Sequence, residues 1–449
     1  MIDVCTKLRL LITLFTIIFP VATVSVIVPN ALVPPGFQAT IWASNLTGAR
    51  QIECLPNGDI LLLRRRSPPD ATNLHNTLNI LHDSNGNGES SMMERNILLT
   101  DDTLTHAVVY HDGYLYASSA SEVYRWRYSV GGRTPSALGP RETIIADMIP
   151  ELIRSHNTRS LVFDTHDRLY VHMGSVFESD FDRSHSLIRR FNLTGTRFPI
   201  PYSSGQIVAS GIRNSVGFTF DASGILWVTD NGYDRINDQR PDLMASMENN
   251  PADELNRIDV NNPARYYGHP HCVTSGGGIP SFPVGSQFGT NRTYDRFCQS
   301  PSFSVPPALT FTAHSVPLGI RFYSLANALT RFGFPSQYVG DAFVALRGGW
   351  ARVITNGFRV VRVRFSNGRP MSYEPFFWWN GSNTNSPTLP QNDRVRWNRR
   401  PVSLCVGPEG DLFVSDDLPG TIIRVRYIGA KATPTKAKAT PTKAKATPT

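Results

Sequence analysis

The stretch ASGIRNSVGFTFDASGILWVTDNGYD, residues 209–234, decides how the rest of the chain is read. Val216 to Phe220 is apolar and rich in β-forming residues, Asp221-Ala-Ser-Gly224 supplies a turn, and Ile225 to Val228 is a returning strand. Polar residues gather at the two ends of this hairpin. Arg213 and Asn214 precede the first strand, and Asp230 to Asp234 follow the second. A rigid hairpin with Arg, Asn and Asp at one edge is one way to build a site. One more solvated hairpin is the alternative.

Working outward, the turn-then-strand unit recurs at 55–63, 111–117, 165–171, 222–228, 339–345 and 408–414. Most copies lead into a further strand, read as the outer one: Glu122–Trp126, Ser186–Phe191, Glu254–Ile258, Phe358–Val363 and Thr421–Val425. Strand-rich repeats about 55 residues apart point to propeller blades rather than a solenoid. Six copies predict an all-β chain, a six-bladed β-propeller over residues 27–430. Residues 262–312 are rich in Gly, Ser and Pro and read as an insertion, with a hidden seventh blade as the alternative. A large β-sandwich explains the repeat less well.

The ends differ from this body. Residues 1–26 have the pattern of a secretory leader: Lys7 and Arg9, an apolar run from Leu8 to Ile18, then small residues Ala22, Thr23 and Ser25. No later segment is apolar enough to span a bilayer. Residues 431–449 repeat Lys, Thr, Ala and Pro with no apolar seam and read as a disordered tail. The full chain has 44 bases and 36 acids, a net +8. Setting aside Lys7, Arg9, Asp3 and the five tail lysines leaves 37 bases against 35 acids, so no nucleic-acid stripe is expected. Every base between Leu10 and Ala430 is arginine. A secreted, extracellular destination fits four sequons, at Asn45, Asn192, Asn291 and Asn380. It also fits a disulfide between Cys272 and Cys298 around the insertion. Whether Cys54 and Cys405 pair stays open.

In a propeller the residues just before each innermost strand converge on one mouth of the axis. That position reads Arg50, His106, His156 with Arg159, Arg213 with Asn214, His314, and Arg399 with Arg400. A circle of arginines suits a ligand with several carboxylates, and a histidine among them is available for proton transfer.

These residues carry a resemblance. The chain resembles secreted quinoprotein dehydrogenases of the glucose/sorbosone type, including fungal pyranose dehydrogenases, in Pro34-Pro-Gly-Phe37, His156–Phe163, Ala209–Asn214, Asp230-Asn-Gly232 and Asp253-Glu-Leu-Asn256. The likeness continues through Tyr267-Gly-His-Pro270, Ala313–Gly319, Gly340–Trp350, Arg400-Pro-Val402 and Gly410–Asp417. It implies a propeller that carries pyrroloquinoline quinone (PQQ) over the axis, oxidises a small-molecule sugar and passes electrons to an external acceptor, a cytochrome or a quinone. It implies His156 as the general base for a C1 hydroxyl, hydride passing to the quinone, with Arg213 polarising the quinone oxygens. Arg50, Arg159, Asn214, His314, Arg347, Trp350 and Arg400 are the further cofactor-face candidates. The backbone carbonyls of Gly232 and Tyr233 match a Ca²⁺ shelf. Arg347 stands where related chains often have His, and the Tyr233–Ala252 loop is long. Asp253–Asn256 reads as merely the start of the outer strand.

A separate motif, Asp83-Ser-Asn85-Gly-Asn87-Gly-Glu-Ser-Ser-Met-Met-Glu94, fits the spacing of a calcium loop, with a glycine-bearing hairpin turn as the alternative. Two other functions compete with the dehydrogenase. One is a calcium-dependent lactonase-type hydrolase, which needs carboxylates and Asn at the axis. The other is a non-catalytic propeller that binds glycans or proteins.

Overall fold

Each repeat of turn and alternating strand closes into an antiparallel blade, because one face of every strand must be buried against the next sheet. The computed structural model describes residues 26–66, 75–148, 156–236, 240–349, 356–379 and 399–429. The expected leader up to residue 25, the tail, Trp350 and Asn380 lie outside the described residues. Six sheets form a six-bladed β-propeller. Their innermost strands are Ala49–Cys54, Leu104–His111, Leu161–Phe163, Ser215–Phe220, Pro317–Phe322 and Pro401–Val406, in blades 1 to 6. The strands read as outer from sequence are third in each blade. A fourth lies beyond them, such as Arg95–Thr100 in blade 1 and Leu309–Phe311 in blade 4. Within residues 262–308, Arg265–Tyr266 adds a fifth strand to blade 3, and the rest is an insertion carrying a two-stranded ribbon, Cys272–Thr274 with Gln287–Gly289, and no seventh blade.

The core is a set of six inter-blade layers. Leu61, Leu63 and Leu78 of blade 1 meet Val108, Leu115 and Trp126 of blade 2, all buried. The same arrangement continues to the seam between blades 6 and 1, where Phe413 and Ile422 meet Ile52, Ile60 and Leu62. Chain closure is made by the N-terminal segment. Phe37–Ala43 is the fourth strand of blade 6, and Ala31–Leu32 pairs with the edge of blade 5. Around the axis the strands are tightly packed: a Cβ on Gly217 would lie 2.0 Å from the Leu318 carbonyl oxygen. No helix among the described residues is long and apolar enough to cross a membrane.

Two disulfides tie this frame. Cys272–Cys298 closes the insertion, as its spacing suggested, and Cys54–Cys405 joins the inner strands of blades 1 and 6 across a sequence separation of 351. The second bridge pins the ring where its ends meet. Cys54→Ala with Cys405→Ala is expected to lower unfolding free energy by about 2–4 kcal/mol. Chemical denaturation reads this directly, and an unchanged midpoint would count against it.

Candidate functional site

Most of the expected residues fall into two clusters, one on blades 3 and 4 and one on blades 1, 5 and 6. The first is built on blades 3 and 4. His156 precedes the inner strand of blade 3, and its Nδ1 lies 3.1 Å from the Ser175 carbonyl oxygen and 2.8 Å from Ser175 Oγ. A carbonyl oxygen can only accept, so the geometry assigns the ring proton to Nδ1 and leaves a lone pair on Nε2. Burial, then the charges of Arg213 and His269, hold its pKa well below the ordinary histidine value. Gly174 permits this approach, since a Cβ there would sit 2.9 Å from His156 Cβ. Arg159 is 2% exposed, and its Nη1 donates to the His156 carbonyl at 2.6 Å and to Thr158 at 3.2 Å. It braces the backbone under His156 from within the fold, in place of the open cofactor face expected from sequence.

Arg213 is the hub of this cluster. Its backbone N–H and that of Asn214 donate to Asp230 at 2.8 and 2.6 Å. Its Nη1 donates to the carbonyls of Gly232 at 2.7 Å and Asn231 at 3.2 Å. Its Nη2 pairs with Glu178, and the Tyr233 ring lies 5.5 Å from the guanidinium carbon. Burial pulls its pKa down, but Glu178, Asp234 and Asp230 outweigh this and raise it. Glu178 also accepts from the Asp234 N–H at 2.5 Å, and its carbonyl accepts from His269 Nε2 at 3.0 Å.

The shelf does not fit the Ca²⁺ expected on the carbonyls of Gly232 and Tyr233. The Gly232 oxygen already accepts from Arg213, and a divalent cation there would face a guanidinium at close range. In the 83–94 loop most candidate ligand oxygens are already engaged, Asp83 Oδ1 being without a partner. Glu94 accepts from Ser84, Asn85 and Ser91, Asn85 Oδ1 from Asn87 N–H, Asn87 Oδ1 from Glu89 N–H, and Asp83 Oδ2 from Gly88 N–H. Burial pushes the Glu94 pKa up, yet these bonds, from Ser91 first, hold it at about 2. Gly86 and Gly88 have φ of +70° and +86°, as the turn reading requires. No group of three or more His, Cys, Asp or Glu among the described residues is placed to hold a metal.

The second cluster, on blades 1, 5 and 6, is cationic. Arg347 donates to Asp417 Oδ2 at 2.8 Å through Nε and at 2.6 Å through Nη2, and Arg50 Nη1 reaches the same oxygen at 3.3 Å. Arg400 Nη2 donates to the Gly348 carbonyl at 2.7 Å, and Arg399 Nη1 lies 3.8 Å from Asp416. Four guanidiniums therefore meet two carboxylates. Burial and then repulsion from Arg347 lower both Arg50 and Arg400 to about 10. Such a cluster is stabilised by an anion with more than one carboxylate, so it fits a tricarboxylate such as PQQ.

His314 lies just before the inner strand of blade 5, nearly buried, with φ of +57°. His106 is 2% exposed and lines the axial cavity below the rim with Gln51, Ser160 and Ser403. The sequons at Asn45, Asn192 and Asn291 are exposed.

Sequence reasoning missed Ser175, Glu178, His269, Asp253 and Asp417. Asp230 is the last residue of the second strand of blade 4, while Asp417 lies one residue and Ser175 two residues past the second strands of blades 6 and 3, so the ends of the second strands were readable blade by blade. Asp253 is a site residue rather than a bare strand start. Its carboxylate accepts from the Gly232 N–H at 2.9 Å and the Val316 N–H at 2.8 Å, tying the shelf to blade 5. Next to it, Glu254 stands opposite Asp230 in register. Burial raises Glu254 to about 7, and burial then Glu254 raise Asp230 to about 8. A carboxyl with a raised folded pKa favours the fold below the ordinary carboxylate range and loses that advantage as pH climbs toward 7–8. Glu254→Gln is thus expected to raise Tm at pH 8.5 and change it little at pH 4.5. A pH-independent shift would refute the charge argument.

A family model described as TrAA12-like matches residues 31–427. A pyrroloquinoline quinone-dependent pyranose dehydrogenase of Coprinopsis cinerea is 26% identical over 437 residues, covering 87% of this chain and 54% of that protein. The chain thus spans about half the length of that curated relative. An uncharacterized protein of Borreliella burgdorferi is 25% identical over 331 residues, 71% of this chain and 74% of that one. The calcium structure of the Trichoderma reesei Carbohydrate-Active Enzymes Family AA12 protein is similar at TM-score 0.73 and 25% identity, covering 90% of this chain and 99% of that one. The holo PQQ domain of the Coprinopsis cinerea pyranose dehydrogenase is similar at TM-score 0.69 and 22% identity, covering 88% and 97%, which speaks to the fold alone.

Proposed function

The chain belongs to the TrAA12-like family, and on that premise we propose that it is a secreted quinoprotein that oxidises the C1 hydroxyl of an aldose or pyranose. Kinship with a pyranose dehydrogenase supports a sugar oxidoreductase. The observation that carries the reading is a histidine beside Arg213, kept neutral by burial and engaged by Ser175 through Nδ1, in a propeller that also gathers Arg50, Arg347 and Arg400 around Asp417 and the Gly348 carbonyl. Arg50, Arg347 and Arg400 would hold the carboxylates of PQQ. When bound, PQQ supplies a hydride acceptor. His156 Nε2 takes the hydroxyl proton of the sugar, and its bond to Ser175 keeps the ring in the tautomer that can do so. Arg213 stays cationic beside it, which keeps His156 neutral and favours negative charge developing nearby. Electrons then leave to a separate acceptor. Two disulfides and three exposed sequons support a secreted protein.

An arginine-rich mouth does not favour the lactonase alternative, which needs open carboxylate and amide oxygens. The test is reconstitution: PQQ added to the purified protein should give a quinone absorbance and sugar-dependent dye reduction. Absence of PQQ binding at micromolar concentration would remove the reading and leave a non-catalytic binding propeller.

A further inference from the structure

The carbonyl shelf of blade 4 already holds a cation. Arg213 Nη1 bonds the Gly232 oxygen at 2.7 Å and the Asn231 oxygen at 3.2 Å. The guanidinium is fixed from several sides. Its own backbone is clamped by Asp230, Glu178 pairs with Nη2, and the Tyr233 ring flanks it. The shelf is fixed too. Gly232 N–H donates to Asp253, and a Cβ on Gly232 would lie 2.8 Å from the Ala252 carbonyl oxygen, so the strand end is closely packed. Arg213 is only 4% exposed, and a cavity lined by Asn231, Gly232, Tyr233 and His269 lies beside it.

We propose that Arg213 is the resident cation of this shelf, so that an anionic quinone cofactor is taken up here without a divalent metal. This rests on the quinoprotein reading above. The physical ground is that a guanidinium and a divalent ion compete for one carbonyl and repel each other at close range. Glu178 completes the arrangement. Its carboxylate neutralises Arg213 from the open side, 38% exposed, and an anionic ligand would replace it there.

The experiment has two arms. PQQ affinity of the wild-type chain is measured by fluorescence quenching in EDTA and in millimolar Ca²⁺. The two dissociation constants are expected to agree within about threefold, and binding more than about tenfold tighter in Ca²⁺ would overturn the proposal. The second arm needs no quinone. Tb³⁺, a luminescent stand-in for Ca²⁺, is added to the wild type and to Tyr233→Phe. Subtraction isolates emission sensitised by Tyr233, and so an ion on this shelf rather than on the 83–94 loop. No Tyr233-dependent emission is expected, and its appearance would overturn the proposal. If PQQ binds under neither condition, the quinoprotein reading fails and the Tb³⁺ arm alone decides this one.

Discussion

His156→Ala is expected to lower kcat by about 10²- to 10⁴-fold while PQQ affinity changes by less than about threefold. The separation of the two effects follows from the geometry. His156 leans on Ser175 through Nδ1 and leaves Nε2 as its chemical end, whereas the cationic side of the mouth is built from other residues. Loss of quinone binding in the same proportion as kcat would contradict the assignment. Full activity would refute it. The pH profile adds a readout that a structural histidine would not move. The neutral imidazole is the active form, so activity falls as pH drops through its folded pKa. That pKa sits well below the ordinary value, first through burial and then through Arg213 and His269. The acid limb of kcat/KM should therefore lie well under pH 6.5. Ser175→Ala keeps the carbonyl contact and removes the hydroxyl, so its loss of kcat should be much smaller than that of His156→Ala.

The fold was legible because it is repeated. Each copy pairs a turn with an alternating strand, and six copies superpose into six blades whichever residues fill them. Closure was not legible. Phe37–Ala43 joins a sheet whose other strands begin at Pro401, and local pattern carries no trace of so distant a partner. The Cys54–Cys405 pairing was open for the same reason. Among the site residues, repeat position identified what stands near the mouth, and burial decided what faces it. His106 and Arg159 share the repeat position of His156 and Arg213, yet one lines the axial cavity and the other supports a loop from below. Glu178 and His269 lie in segments outside the repeat, where no periodic argument reaches. Arg213 on the expected metal shelf was not legible, because a backbone carbonyl carries no residue signature. Which cation it meets depends on the reach of Arg213, a three-dimensional fact.

The largest binding effect should come from the other side of the mouth. Arg50→Ala with Arg400→Ala is expected to weaken PQQ binding by about 10²- to 10⁴-fold. Each removes a charge-assisted contact to a carboxylate worth about 1.5–3 kcal/mol, and about 1.4 kcal/mol is a decade in affinity. Without ligand these arginines destabilise one another. Burial and the Arg347 charge already lower both to about 10, and the nearby Asp417 carboxylate is held mainly by Arg347. Taking away one cation relieves repulsion on the rest, so each single variant should lose less than half, in free energy, of what the double loses. The same relief gives a sign that separates ligand binding from structural support. The unliganded double variant should melt at or above the wild-type temperature although it binds quinone far more weakly, measured by thermal unfolding with and without PQQ. Structural arginines would lower both. Lysine at these positions should rescue little, because it restores the charge without the two-pronged geometry a carboxylate takes. On the proposed reading, a cluster held under mutual repulsion until a polycarboxylate arrives would link the arginine pattern in the sequence to the choice of cofactor.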